Sequence, residues 1–127
     1  MPFVRIDLNE GRPAEFRRTL GDIVYAAMRA TIDVPENDKF QVITQHKPGA
    51  LNIAPSYLGN SYTAGIVLIQ ITLSRGRSQD KKKALYRKIA EDLHAGLGIR
   101  KEDVFINLVE VTPEDWSFGG GIAQYVQ

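Results

Sequence analysis

The most constraining feature of this sequence is a repeat, in which the first half of the chain resembles the second. The segment Val4–Arg12 can be set over Ile69–Arg77, at an offset of 65 positions, and both segments end in a Gly-Arg pair. With the same offset and no gap, identical residues meet further along: Leu20 with Leu85, Ala30 with Ala95, Asp38 with Asp103, and Phe40 with Phe105. Such self-similarity indicates one structural unit present twice.

The first half predicts a strand, a helix and a second strand. Phe3–Leu8 alternates apolar and polar residues and ends at a turn signal, Asn9-Glu10-Gly11. Pro13 suits the first turn of a helix, and the chain that follows has an apolar stripe at helical spacing. That stripe consists of Phe16, Leu20, Ile23, Val24, Ala27 and Met28. Asp33-Val34-Pro35 predicts the end of the helix, and Phe40–Gln45 predicts the second strand.

The second half predicts the same order of elements. Gly65–Leu73 is the predicted strand, and Ser78 is a plausible N-cap for the helix that follows. The apolar stripe of that helix consists of Leu85, Ile89, Leu93 and Leu97. Gly96 and Gly98 are candidates for its C-terminal end, and Val104–Val109 is the returning strand.

Two strand–helix–strand units, over about 3–45 and 66–110, predict a single domain that spans 1–127. With right-handed crossovers they give one α/β (α+β) sandwich, a four-stranded sheet with two helices on one face. The loop His46–Tyr62 and the tail Thr112–Gln127 are rich in turn-forming residues. No helix is left to cover the other sheet face, although the strands are rich in Val, Ile and Phe. We therefore expect an oligomer.

Composition excludes several kinds of site and partner. The chain has no cysteine and two histidines, His46 and His94, so thiol nucleophiles, thiolate metal sites and multi-histidine metal sites are not expected. A net charge of +1 argues against nucleic acid and anionic membranes as partners, and Lys81–Lys83 is interpreted as a solvated helix face. The N-terminus lacks a secretory signal and no apolar run is long enough to span a membrane, so a cytosolic protein is expected.

Pro2 is the first candidate for chemistry. If the initiator Met is removed, Pro2 presents a secondary amine directly before a strand. An α-amino group has a pKa near 8, so it can act as an acid or a base near neutral pH. The alternative is that Pro2 only begins a strand.

Charged and aromatic residues supply the other candidates. Arg75 and Arg77 are spaced to clamp a carboxylate, with Arg12 at the equivalent turn of the first half, although a solvated turn is the alternative. Asp38 could favour the charged form of a neighbouring ammonium or be a turn residue. The tail carries aromatic residues that could wall an apolar pocket, cover the sheet or contact another subunit: Trp116, Phe118 and Tyr125.

Together these residues resemble the tautomerase superfamily over essentially the whole chain. The shared features are a proline after the initiator Met, Glu10-Gly11-Arg12 closing the first strand, and the duplicated unit. The resemblance is closest to the malonate semialdehyde decarboxylase subgroup. Four segments carry that closer resemblance: Val34–Gln41, Gln45–Gly49, Ser74–Ser78 and Asp115–Gly119.

The resemblance implies an enzyme that works as a homotrimer on a small oxo acid, without metal or organic cofactor. It implies catalytic roles for Pro2, Asp38, Arg75 and Arg77, and an aromatic wall at the substrate formed by Trp116, Phe118 and Tyr125. From its place at the equivalent turn of the first half, Arg12 is also expected to bind substrate. The expected reaction is decarboxylation of a 3-oxo acid, with a protonated Pro2 stabilising the enolate. Two alternatives stay open. One is keto–enol tautomerisation of a 2-oxo acid with Pro2 as a neutral base, and the other is a non-catalytic protein on this scaffold.

Overall fold

The computed structural model describes residues 2–127, so Met1, on whose removal the Pro2 prediction depends, lies outside the described residues. The main elements, in chain order, are β1 (Phe3–Asn9), α1 (Ala14–Ile32), β2 (Gln41–His46), β3 (Ser56–Tyr57), β4 (Asn60–Ser61), β5 (Val67–Ser74), α2 (Gln79–Leu97) and β6 (Val104–Val111). Single turns of 3-10 helix occupy 101–103, 113–115 and 124–126.

The duplication is present at the level of single residues. Helices α1 and α2 both have 19 residues, and Gln79, the first residue of α2, lies 65 positions after Ala14, the first residue of α1. Strand β1 runs parallel to β2 with Val4 opposite Gln41, and β5 runs parallel to β6 with Val67 opposite Val104. Each pair joins residues 37 positions apart in sequence. The two units therefore share helix length and strand register.

The four long strands form one mixed sheet in the order β2-β1-β5-β6, with β1 and β5 antiparallel at its centre. The predicted four-stranded sheet with two helices on one face is confirmed. Alternate residues of the central strands are buried beneath the helices: Val4, Ile6 and Leu8 from β1, and Val67, Ile69, Ile71 and Leu73 from β5. Leu20 and Val24 of α1, with Leu85 and Ile89 of α2, complete this core.

The helix boundaries follow local chemistry. The predicted N-cap of α2 is confirmed, because the Ser78 Oγ accepts a hydrogen bond of 3.2 Å from the backbone N of Lys81. Gly98 ends α2 in the left-handed conformation, with φ of 68°. Gly96 lies inside the helix, where an added Cβ would stand 2.8 Å from the Ile23 Cδ1. Gly96 therefore allows α1 and α2 to approach closely.

Some strand boundaries differ from the prediction. Strand β2 begins at Gln41 instead of Phe40 and continues to His46, and β6 continues to Val111. Strand β5 begins at Val67, two residues later than predicted, because Gly65 and Ile66 belong to a turn in which the Ile66 N bonds to the Thr63 O. The connecting loop also contains the short hairpin β3–β4, which turn-rich composition did not indicate.

The sheet face opposite the helices is less apolar than the Val, Ile and Phe content of the strands predicted. At its centre, Arg5 lies opposite Gln70, and both are exposed. Beside them the His46 Nε2 lies 2.6 Å from the Asp7 Oδ1, so His46 is a paired surface residue. On this face, the large apolar side chains that are exposed lie on the outer strands β2 and β6: Val42, Phe105 and Val109. No helix within residues 2–127 is long and apolar enough to cross a membrane.

Candidate active site

The strand directions bring four segments to one edge of the sheet. Phe3 pairs with Thr72, so β1 begins where β5 ends. The Val4 N donates to the Phe40 O at 3.0 Å, which places the segment before β2 beside them. Ser74 pairs with Val111 at the end of β6. Pro2, the segment before β2, the turn after β5 and the tail after β6 therefore meet here, at what we call the Pro2 edge.

A cavity of about 310 Å³ lies at this edge. Its lining residues are Pro2, Phe3, Phe40, Trp116, Ser117 and Phe118. Pro2 itself is buried. The volume is at the small end of the range for ligand pockets, so it suits a ligand of few atoms. Because the walls are mainly apolar, a charge inside the cavity is screened less than a charge in bulk water.

Three aromatic rings of the tail lie in a row beside the cavity. Trp116 stacks on Phe118 with ring centroids 5.4 Å apart, and Phe118 meets Tyr125 edge-on at 5.0 Å. The Trp116 Nε1 donates a hydrogen bond of 3.1 Å to the Ser74 Oγ. Tyr125 is 48% exposed and packs against Phe118 outside the cavity lining. Within one chain it supports the wall instead of forming it.

The tail after β6 is folded on itself by its own hydrogen bonds. The Thr112 N and Oγ1 donate to the Asp115 Oδ2 at 2.8 and 2.9 Å. These bonds hold the pKa of the Asp115 carboxyl below its ordinary value, first through the Thr112 backbone and then through its side chain, with a smaller contribution from the Arg75 charge. Further along, the Gln124 side chain accepts from the Phe118 N and donates to the Gly119 O, both at 2.9 Å.

The two predicted clamp arginines have different surroundings. Arg75 is exposed, and its backbone N donates to the Val111 O at 2.8 Å. Arg77 is half-buried. Its guanidinium donates to the Ser74 O at 2.9 Å and to the Ile32 O, at the end of α1, at 3.4 Å. Both arginines lie at the Pro2 edge, but neither lines the cavity. The tie between Arg77 and two backbone carbonyls was not predicted.

Asp38 also lies at the Pro2 edge, two residues before the cavity residue Phe40. Its backbone N donates to the Pro35 O at 3.3 Å, which closes the turn that leads into β2. Its Oδ1 is buried although the residue as a whole is half-buried. Asp38 therefore has the predicted turn geometry and a carboxylate turned partly away from solvent.

Arg12 is not brought to the cavity within one chain. It follows β1, whose seven residues extend roughly 23 Å away from Pro2. There its guanidinium lies 4.5 Å from the centroid of the Phe16 ring, and its carbonyl accepts from the Gln45 Nε2 at 2.8 Å. If Arg12 binds the same substrate as Arg75 and Arg77, as predicted, it must therefore do so from another copy of the chain.

Four further residues contribute to the cavity or its wall without having been predicted as site residues. Phe3, Phe40 and Ser117 line the cavity, and Ser74 holds Trp116. A signal for two of them was present, because Phe3 and Phe40 stand where a strand begins or is about to begin. No spacing in the sequence indicated that Ser74 and Trp116, 42 positions apart, would meet.

A larger cavity of about 550 Å³ lies at the opposite edge, lined by Asn9, Glu10, His46, the loop after it and the segment around Thr63. By the duplication, this cavity corresponds in the second unit to the Pro2 cavity of the first unit. The chain is continuous there, so this larger cavity has no terminal amine. The smaller cavity, beside Pro2, is therefore the candidate active site. Residues 2–127 contain no group of three or more His, Asp or Glu side chains that could hold a metal ion.

Comparison with known proteins identifies the family. A family model described as "Tautomerase enzyme" matches residues 38–119, and a second with the same description matches residues 2–60. The chain belongs to the tautomerase superfamily. The resemblance inferred from the sequence is confirmed, and the chain is an enzyme of this superfamily.

Three relatives are similar over nearly the whole chain. The probable tautomerase YusQ of Bacillus subtilis (strain 168) is 44% identical over 127 residues, all of both chains. FG41 malonate semialdehyde decarboxylase, solved in a form inhibited by 3-bromopropiolate, is 37% identical with a TM-score of 0.90, covering 98% of this chain and 94% of that one. A malonate semialdehyde decarboxylase described as having decarboxylase and hydratase activities is 33% identical with a TM-score of 0.90, covering 98% and 95%.

Proposed function

We propose that this enzyme is a lyase of small 3-oxo acids, which releases CO₂ from malonate semialdehyde or a close analogue by means of the Pro2 amine. The observation that carries the proposal is the buried Pro2 at the wall of a small aromatic cavity. Similarity to two malonate semialdehyde decarboxylases over nearly the full chain supports the choice of substrate.

The reaction needs a group that accepts negative charge at the carbonyl. Breaking the bond between the carboxylate carbon and the central carbon leaves an electron pair, which moves onto the aldehyde oxygen as an enolate. A protonated Pro2 beside that oxygen stabilises the developing charge, as an oxyanion hole does. One proton added to the central carbon then gives acetaldehyde. An iminium ion between Pro2 and the aldehyde would accept the same electron pair.

Asp38 and the two arginines would set the charges around Pro2. A carboxylate at Asp38 favours the protonated form of a nearby amine. Arg75 and Arg77 would hold the substrate carboxylate so that its bond to the central carbon stands out of the carbonyl plane. Arg77 has five donors, of which two are given to backbone carbonyls, so donors remain for a ligand. A very tight grip would stabilise the ground state and slow the release of CO₂.

The aromatic wall would assist the departure of the carboxylate. Trp116 and Phe118 replace water on one side of the cavity with apolar surface. A carboxylate loses solvation there, while the product CO₂ is neutral and loses little. The transition state, in which charge is leaving the carboxylate, is therefore favoured over the bound substrate.

The test is product identification by ¹H NMR after malonate semialdehyde is mixed with protein whose Met1 removal has been verified by intact mass. Acetaldehyde is expected with the wild type and not with Pro2→Ala. Arg87→Ala is the matched control, because Arg87 is exposed on α2 and outside the site. Unchanged substrate with the Met-processed wild type would contradict the proposal.

The second candidate is a tautomerase of 2-oxo acids, which the name of the 44% identical relative favours. In that reaction a neutral Pro2 would remove a proton as a base. Ketonisation of the enol of phenylpyruvate, followed by ultraviolet absorbance, separates the two functions. A tautomerase accelerates that step and leaves malonate semialdehyde intact, whereas the proposed lyase releases acetaldehyde.

We propose a homotrimer in the cytosol as the working form. The uncovered sheet face, with exposed Val42, Phe105 and Val109, supports association. A fused 4-OT of this fold, 18% identical with a TM-score of 0.78, has been solved as a symmetric trimer. Light scattering should give three times the chain mass of 14.2 kDa. A mass of one chain would contradict the trimer.

The position of Arg12 makes a stricter test of assembly. Because Arg12 lies at the opposite edge of its own sheet, its proposed contact with substrate must cross to a neighbouring copy. Pro2→Ala and Arg12→Ala proteins should each be inactive and should regain activity when they are unfolded and refolded together. Mixed trimers that stay inactive would mean that Arg12 does not act across the interface.

A further inference from the structure

Ser74, the last residue of β5, makes two contacts at the Pro2 edge. Among the residues that the structure describes there, no other makes both. Its side-chain Oγ accepts the indole N–H of Trp116 at 3.1 Å. Its backbone carbonyl accepts the Arg77 guanidinium at 2.9 Å. Ser74 thus touches the first ring of the aromatic wall and one of the two proposed carboxylate-binding arginines.

The backbone at this point is fixed by its pairing with β6. Ser74 pairs with Val111 in the β5–β6 ladder, and the next residue, Arg75, donates its backbone N to the Val111 O at 2.8 Å. The ladder therefore continues one residue past the strand. A side chain mounted there has a defined position relative to the sheet and to Pro2 at the start of β1.

The indole of Trp116 has few ways to satisfy its N–H. Indole is a donor only, and a half-buried indole usually finds an acceptor. The acceptor here is the Ser74 Oγ, and the same indole stacks on Phe118, which in turn contacts Tyr125. This hydrogen bond and the stacking on Phe118 together orient the Trp116 ring.

We propose that Ser74 is a positioning residue of the active site, which holds the Trp116 indole so that the aromatic wall closes on the substrate carboxylate. This rests on the proposed decarboxylase function. Since the wall acts when the carboxylate loses its charge, loss of the Ser74 hydroxyl should lower kcat more than it raises KM. We expect kcat of Ser74→Ala to fall roughly fivefold, with KM within about twofold of wild type.

The chain offers a direct reporter of this contact, because Trp116 is its single tryptophan. Its indole gives one ¹H–¹⁵N NMR resonance. We expect this resonance to move in Ser74→Ala and to return towards its wild-type position in Ser74→Thr, which restores the hydroxyl and suits a strand. The kcat should return with it.

The matched control is Ser78→Ala. Ser78 caps α2 through its Oγ, so the variant loses a serine hydroxyl and stability but not the contact with Trp116. Its indole resonance should stay in place. Ser74 would have no positioning role if the resonance in Ser74→Ala were unmoved, or if kcat stayed at the wild-type value although the resonance had moved.

The outcome can be separated from the fate of the proposed reaction. If the wild type did not turn over malonate semialdehyde, the proposed function would fail on that assay alone. The indole shift on addition of malonate, an unreactive dicarboxylate, would then replace kcat as the readout. A shift present in the wild type and lost in Ser74→Ala would support the positioning role. A shift retained in Ser74→Ala, or absent from the wild type, would overturn it.

Discussion

Arg75 and Arg77 stand two residues apart and have the same side chain, but the structure predicts different consequences when each is truncated. Arg77 donates to the Ser74 O and the Ile32 O, and so ties the end of β5 to the end of α1. Arg75 is exposed, and its backbone N donates a hydrogen bond to the Val111 O. Substitution by alanine leaves that backbone bond intact.

The expected losses of stability follow from these contacts. Hydrogen bonds from charged donors contribute about 1.5–3 kcal/mol each in favourable settings. Because Arg77 is half-exposed and one of its two bonds is long at 3.4 Å, we expect Arg77→Ala to lower the free energy of unfolding by about 1–2 kcal/mol. In a chain of this size that lowers Tm by roughly 3–8 °C. Arg75→Ala should change the free energy of unfolding by less than about 0.5 kcal/mol.

The expected losses of activity do not follow the same order. If Arg75 binds the substrate carboxylate together with Arg77, its removal takes away one of the two charges that hold the carboxylate, and kcat/KM should fall roughly 100-fold. Urea unfolding and steady-state decarboxylation of malonate semialdehyde on both variants give the two quantities. An Arg75→Ala protein with wild-type kcat/KM, or one destabilised as much as Arg77→Ala, would refute this division of roles.

Three further predictions concern the fold and the tail. Leu20→Ala and Leu85→Ala should each lower the free energy of unfolding by about 3 kcal/mol, because both side chains are fully buried at equivalent positions of the two units; clearly unequal losses in urea unfolding would contradict that equivalence. Gly98→Ala should destabilise by about 1 kcal/mol, as a lower Tm, because Gly98 ends α2 at a φ of 68°; an unchanged Tm would count against it. The Thr112 hydrogen bonds lower the pKa of Asp115 in the folded protein. They therefore stabilise the tail fully above the ordinary aspartate pKa of 3.8, and this stabilisation is lost as pH falls through the lowered pKa of the folded protein. Trp116 fluorescence should therefore report this loss in acid and not between about pH 5 and 8, and Asp115→Asn should remove the acid step.

Much of the fold could be predicted because the repeat fixed several features together. The offset between Ile6 and Ile71 also relates the first residues of α1 and α2 and the register of the two parallel pairs. Strand ends were less accurate, as at Phe40 and Gly65, because the apolar pattern does not show where strand pairing starts. Gly65, for example, belongs to a turn closed by the hydrogen bond from the Ile66 N to the Thr63 O. The hairpin β3–β4 has two residues a strand, too few for any period to appear.

The candidate site was predictable where a residue type carried the chemistry and less so where geometry did. An amine at Pro2 and a wall at Trp116 and Phe118 could be inferred from residue type and family resemblance, and they lie together around the cavity. The contact between Ser74 and Trp116 depends on strand pairing over 42 positions, which no local pattern encodes. The distance of Arg12 from the cavity likewise depends on the length and direction of β1.

The most direct test of the account is the titration of the Pro2 amine itself, followed by ¹⁵N NMR of protein that carries ¹⁵N-proline and has lost Met1. An acid that stabilises an enolate near neutral pH must be protonated there. We expect a titration midpoint above pH 7 for the wild type and a lower midpoint for Asp38→Asn, because the opposite charge has been removed. A midpoint near pH 6 that is unchanged in Asp38→Asn would contradict the acid role of Pro2 and favour its action as a base.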